Sequence, residues 1–308
     1  MRSRVGPNKE NQHFKPSRFS PPCTRSRGFG RDITNAALVP RTSDPSTLPE
    51  YAKEIYEGLY QGELRFLPGC GYMKRQGDIT DKMRGILLDW LVEVHLKFKL
   101  GPETLFLTTN ILDRVLEREQ VVRGKLQLIG VVALLIAAKY EEIFAPEVRD
   151  LVHITDNAFT REEILATEAL VLSLLEYNLT TPSALGFLGR FAKIAGVNQH
   201  TQTLAWYLLE LALVEYKMLK YRVSLMAAAA LFLASKIDQK PQAWSMELAD
   251  ETHYSEAELK NCAKDLCILA QGAEKSSLQA VRRKFLLPKY QEVARVSVFQ
   301  AITPSFKS

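Results

Sequence analysis

Residues 83–98, MRGILLDWLVEVHLKF, constrain the fold more than any other stretch of the chain. Read as a helix, the run is apolar almost all the way round. Ile86, Leu87, Leu88, Trp90, Leu91, Val92, Val94 and Leu96 point in every direction and leave no face for water. A helix of this kind is enclosed by other helices. Within it, Met83, Ile86, Leu87 and Trp90 follow the i, i+3, i+4, i+7 spacing of one helix face. Composition alone assigns that stripe to a core. Three charged residues, Arg84, Asp89 and Glu93, interrupt the run. Buried charges persist only where they are paired, so partners are expected from elsewhere in the chain.

The remaining periodicity is helical throughout. Residues 49–67 read as an amphipathic helix with Tyr51, Ile55, Tyr56 and Leu59 on one side. Thr80 or Asp81 suits the N-cap of the central helix. Residues 102–118 place Leu105, Thr109, Leu112 and Leu116 at helical spacing. Residues 124–140 are nearly all apolar from Leu126 to Ala138, and Gly130, Ala133, Ala137 and Ala138 let neighbouring helices come close. Residues 146–154 predict a short helix begun by Pro146. Residues 160–174 open on Thr160 and Glu163, a capping box in form. Pro182 then breaks the pattern. A second set follows at 183–195, 199–213, 223–237, 246–251 and 256–271. The expectation is an all-α chain of two tandem five-helix units, over residues 48–179 with the leading helix and 180–296. A polar tail at 1–47 and a frayed end at 297–308 flank them.

Composition excludes several classes. With 308 residues and 46% hydrophobic content, a full core needs no disulfide staples. Cys23, Cys70, Cys262 and Cys267 form no CxxC pair and suggest a reducing compartment. No uncharged apolar run reaches membrane-span length, and the basic N-terminus lacks the apolar core of a secretory signal. Residues 1–47 carry nine Lys/Arg against three Asp/Glu, and the rest is nearly neutral. A nucleic-acid-binding core is therefore not expected. No phosphate-cradling glycine loop, nucleophile elbow or metal spacing is present. Adjacent Glu141 and Glu142 do not converge on one point. No catalytic residue, metal or cofactor is expected.

Longer motifs carry a family resemblance. MRGILLDWLVEVHLKFKL resembles the first helix of a cyclin box, RGKLQLIGVVALLIAAKYEEIFAPEV the third helix and the loop after it, and ATEALVLSLLEYNL the fifth. His95, Lys97 and Phe98, in the form HxKF, resemble mitotic B-type cyclins more than A-type ones. The match covers roughly residues 51–296. It implies two tandem cyclin boxes and a regulatory subunit, not an enzyme, that binds and allosterically activates a cyclin-dependent kinase at the G2/M transition. By resemblance, Lys139 and Glu168 bind the two ends of the loop before the kinase C-helix, flanked by Tyr140, Glu141, Glu142 and Tyr177. The family's groove for RxL-type substrate or inhibitor peptides maps to Met83, Ile86, Leu87 and Trp90 with Arg123, Leu126 and Gln127, and Glu93 would receive the peptide's Arg. Gly85 replaces the family's usual Ala and would widen the groove floor. Asp113 would pair with Arg84.

The tail adds short motifs. Low apolar content predicts that it stays disordered. Lys9, Glu10 and Asn11 spell a KEN box, a signal read by the anaphase-promoting ubiquitin ligase. Arg27, Asp32 and Asn35 fit the destruction box RxxLxDxxN, with Gly30 at the Leu position and Phe29 one place earlier. Location in nucleus and cytoplasm is expected. The alternatives are an S-phase A-type cyclin, a two-box DNA-binding protein similar to transcription factor IIB, and a helical scaffold. The second would need a CxxC zinc ribbon and a basic second box, and neither is present.

Overall fold

Twelve α-helices and no strand make up residues 49–296, the part of the chain that the computed structural model describes. The expected disordered tail, the frayed end and the motif residues Lys9, Glu10, Asn11, Arg27, Phe29, Asp32 and Asn35 lie outside the described residues.

The first unit contains α2 (Asp81–Lys97), α3 (Pro102–Arg118), α4 (Arg123–Glu141), α5 (Val148–Ile154) and α6 (Arg161–Leu174). Local chemistry sets several boundaries. Thr80 caps α2, its hydroxyl accepting from the Met83 N–H at 3.3 Å. Thr160 and Glu163 form the reciprocal capping box of α6. Pro146, expected to begin α5, lies outside it. Helical bonding starts at Glu147, whose carbonyl accepts from the N–H groups of Asp150 and Leu151. Helix α4 runs through the centre, and its residues from Val131 to Ala138 are at most 2% exposed. Gly130 permits this, because a Cβ there would stand 2.9 Å from Leu87 Cδ1 on α2.

The second unit repeats the plan with α7 (Ala184–Ile194), α8 (Gln199–Val214), α9 (Val223–Ile237), α10 (Met246–Thr252) and α11 (Glu256–Gly272). Helix α9 takes the central place, buried from Ala227 to Ala234. The leading helix α1 (Pro49–Phe66) precedes the first unit in sequence but packs on the second. Tyr56 and Tyr60 lie against Phe187, with ring centroids 6.0 and 5.0 Å apart. Glu63 accepts from the Ser224 N–H at 3.0 Å and the Ser224 hydroxyl at 2.8 Å, satisfying free donors at the start of α9. The inward face therefore runs through Tyr56, Leu59, Tyr60 and Glu63, whereas Tyr51, expected on it, is 54% exposed.

The three charges inside α2 all find distant partners. The Arg84 guanidinium meets Asp113 on α3 with two bonds of 2.6 Å, and Asp113 also accepts from the Tyr72 hydroxyl at 2.7 Å. Arg84 donates further to the carbonyls of Leu213 and Val214 at the end of α8, tying the two units together. Asp89 and Glu93 are met by α12 (Ala280–Phe285), a short helix that returns to α2. Asp89 accepts from the Ala280 N–H at 2.8 Å, and Glu93 pairs with Arg283 at 2.9 Å. Gly85 does not floor a groove on α2. A Cβ there would meet Leu278 Cδ1 at 3.2 Å and the Val214 carbonyl at 3.5 Å, so its smallness serves the junction with the second unit.

His95 of the HxKF motif is 2% exposed and its Nε2 lies 2.8 Å from the Gly101 carbonyl. Nε2 therefore carries the proton and donates. Burial, helped by the nearby Lys284 charge, pushes its pKa down to about 3. The unfolded chain then binds a proton near pH 6.5 that the folded chain refuses. Stability is complete above that pH and falls as pH drops toward the folded value. Between pH 7 and 5.5, His95 alone should cost about 1 kcal/mol. Urea unfolding at the two pH values, compared with His95→Gln, checks this; the variant, which keeps a donor for Gly101, should lose that much less.

Candidate functional site

Lys139 sits in the last turn of α4, where a cation suits the helix dipole. Its Nζ lies 2.6 Å from Glu168 Oε1 on α6, and the two side chains are 49% and 11% exposed. The pair marks where the buried central helix reaches the surface. Large apolar side chains follow each member in sequence and remain in water. Ile143 and Phe144, in the loop after α4, are 82% and 81% exposed, and Leu170 and Tyr177 are both 70% exposed. Glu176 and Tyr177 have φ of 53° and 57°, a left-handed turn at the end of α6 that costs non-glycine residues roughly 1 kcal/mol or more each. Exposed apolar side chains on the segments that follow each member of the pair have the character of an interaction surface.

Neighbours of the pair divide into two kinds. The Tyr140 hydroxyl bonds the Thr180 hydroxyl while the ring stays half in water. Glu141 is exposed. Glu142 turns back into the chain, accepting from the Gly101 N–H at 2.6 Å and from the Thr104 hydroxyl, so it caps the start of α3. Glu103, in the same first turn of α3, lines a cavity of about 160 Å³ with Glu141, Pro182 and Ser183. Burial pushes its carboxyl up to about 7 against the opposing bond from Ser183. Among the described residues no group of His, Cys, Asp and Glu has the arrangement of a metal site, and no helix is long and apolar enough to cross a membrane.

The stripe on α2 is mostly floor. Leu87, Trp90 and Leu126 are 2%, 7% and 5% exposed and share one core, with Met83 packed against it. Ile86, at 37%, is the residue of the stripe that faces water. Gln127 is half-buried. Arg123 is exposed and pairs with Asp78 at 2.7 Å.

Two family descriptions match the sequence end to end across this architecture: "Cyclin, N-terminal domain" over residues 54–180 and "Cyclin, C-terminal domain" over residues 182–298. The chain belongs to the cyclin family. Cyclins are regulatory subunits and not enzymes. The relatives of this cyclin include Cyclin-B2-1 of Oryza sativa subsp. japonica, 43% identical over 81% of the chain and 59% of the relative. G2/mitotic-specific cyclin-B of Marthasterias glacialis is 42% identical over 84% of the chain and 67% of the relative. The cyclin thus spans about six tenths of the length of the rice relative. A viral cyclin from herpesvirus saimiri shares the fold, with a TM-score of 0.63 at 22% identity, covering 70% of this chain and 96% of the viral one.

Sequence reasoning missed Ile143 and Phe144. Hydrophobicity argues for burial, and nothing local shows that the loop after α4 lifts both into water. The signal available was their position, directly after Glu141 and Glu142 and before Pro146, where α4 has to end. A partner for Glu93 was expected, but not that it is Arg283 on α12.

Proposed function

We propose that this cyclin binds a cyclin-dependent kinase through the face around Lys139 and Glu168 and activates it allosterically. The observation that carries the reading is the surface ion pair of Lys139 and Glu168, with exposed Ile143, Phe144, Leu170 and Tyr177 on the segments that follow its two members. Apolar side chains supply contact area, and the pair supplies one donor and one acceptor to grip a loop. Binding energy is then used to rotate the kinase C-helix inward, so that its Glu meets the ATP-positioning Lys. The cyclin contributes no catalytic group. Relatives named as G2/mitotic-specific support action at the G2/M transition. The α2 face with Ile86 at its rim docks RxL-type peptides. The KEN box and the altered destruction box make the chain a substrate of the anaphase-promoting ubiquitin ligase, working in nucleus and cytoplasm. A KEN-to-alanine chain that still vanishes at mitotic exit would remove the KEN box from this reading.

The kinase reading is tested by pull-down from mitotic extract, with histone kinase activity assayed on the beads. Wild type should retain an active kinase. Lys139→Ala/Glu168→Ala should lose about a hundredfold or more in affinity, as expected when two interface anchors go together. Circular dichroism checks that the variant stays folded. A folded double variant that retains wild-type activity on the beads moves the kinase face elsewhere.

A further inference from the structure

The acid of the docking face is already occupied. Glu93 lies on the same side of α2 as Ile86 and Trp90, two turns after the first and one after the second, and its Oε1 is 2.9 Å from Arg283 Nη1. That contact is set by the fold. The start of α12 is fixed to α2 by the bond from the Ala280 N–H to Asp89, and its end by Lys284, which meets Glu210 at 2.5 Å. Arg283 is three residues after Ala280 and Glu93 four after Asp89, so one helical turn along each helix brings them together. The anchors are covered, whereas the Arg283 and Glu93 side chains are 64% and 47% exposed. The pair therefore stands in water, where a peptide can reach it without unfolding anything.

We infer that Arg283 is a built-in competitor for the docking carboxylate, a tethered guanidinium in the position that the arginine of an incoming basic peptide must take. The inference rests on the docking reading above and adds what limits it. An intramolecular competitor acts at high effective concentration, but an exposed pair is weak and screened by salt. Arg283 thus discounts the peptide's arginine without closing the face. Discrimination shifts toward the apolar residue that packs by Ile86.

The test uses the whole chain and two fluorescein-labelled synthetic peptides, one with an Arg-x-Leu-Phe core and one with that arginine replaced by alanine. Fluorescence polarisation at low salt reads affinity. Arg283→Ala should tighten the arginine peptide roughly two- to fivefold, the range of exposed ion pairs. It should leave the alanine peptide unchanged, and Arg283→Lys, which keeps the competing charge, should stay near wild type. Ile86→Ser separates the two levels. If Ile86→Ser weakens binding but Arg283→Ala gains nothing for the arginine peptide, the competitor role is wrong and docking stands. If Ile86→Ser binds as wild type does, or no form binds either peptide, the docking reading falls and this inference with it.

Discussion

Asp113→Ala is expected to destabilise the cyclin by about 3–5 kcal/mol, the cost of leaving one member of a buried ion pair alone. The Arg84 and Asp113 side chains are each 1% exposed. Burial alone would lower the Arg84 pKa, and the Asp113 carboxylate overrides it, holding the guanidinium charged with a raised pKa. Removing Asp113 strands that charge and leaves the Tyr72 hydroxyl without its acceptor. Against a total stability of roughly 5–15 kcal/mol, such a loss reaches the threshold of folding. The damage should not stay in the first unit, because Arg84 also holds the carbonyls of Leu213 and Val214. Urea unfolding followed by circular dichroism gives the number. Asp113→Asn, which keeps an acceptor for Tyr72 but not the charge, should fall between. A loss under about 1 kcal/mol for Asp113→Ala, typical of an exposed pair, would mean that water reaches Arg84.

Much of this fold was legible because helices announce themselves locally. Thr80 and Thr160 with Glu163 are caps in the sequence and caps in the structure. The apolar run ending at Ala138 could only be a central helix. What stayed hidden was long-range. Nothing near Asp89 or Glu93 shows that a six-residue helix almost two hundred residues later supplies their partners. Of the face read for α1, Tyr56 and Leu59 do turn inward, but Tyr60 and Glu63 complete it in place of Tyr51, because Tyr51 and Tyr60 have the same apolar character. Glu142 was indistinguishable from Glu141 until the start of α3 was seen to lie against it. Carboxylates at helix ends can face water, a partner or another helix, and periodicity does not choose among them.

A second effect of similar size is expected at Lys284, and pH gives it a signature that Asp113→Ala lacks. Lys284 and Glu210 are both wholly covered and lie 2.5 Å apart. Rings of Trp206, Phe285 and Tyr290 stand 5.1, 5.4 and 5.6 Å from the ammonium, so the pair sits in an apolar box with little water to replace a lost partner. Burial already pushes the Glu210 carboxyl up, and Lys284 is what opposes it. Lys284→Met removes the opposition and should cost about 3–5 kcal/mol near neutral pH. The stranded carboxylate then has one escape, which is to take up a proton. Its folded pKa rises above the unfolded value, so the folded variant binds more protons than the unfolded chain in the window between them. Its stability should therefore recover as pH falls from 7.5 to 5.5, by up to about 1.4 kcal/mol per pH unit. Wild type carries opposing contributions over that range, a loss at His95 and a gain at Glu103, and the variant shares both, so the recovery at Glu210 is read as the difference between variant and wild type. Glu210→Gln/Lys284→Met, with neither charge, should regain most of the loss at neutral pH and show no recovery in acid from this site. A Lys284→Met chain whose stability runs parallel to that of wild type from pH 7.5 to 5.5 would show that Glu210 is not the group left behind. The same variant also releases the anchor that holds α12 on α8, so the contact of Arg283 with Glu93 should loosen with it. The buried pair in the second unit thereby sets what the exposed pair on α2 can do.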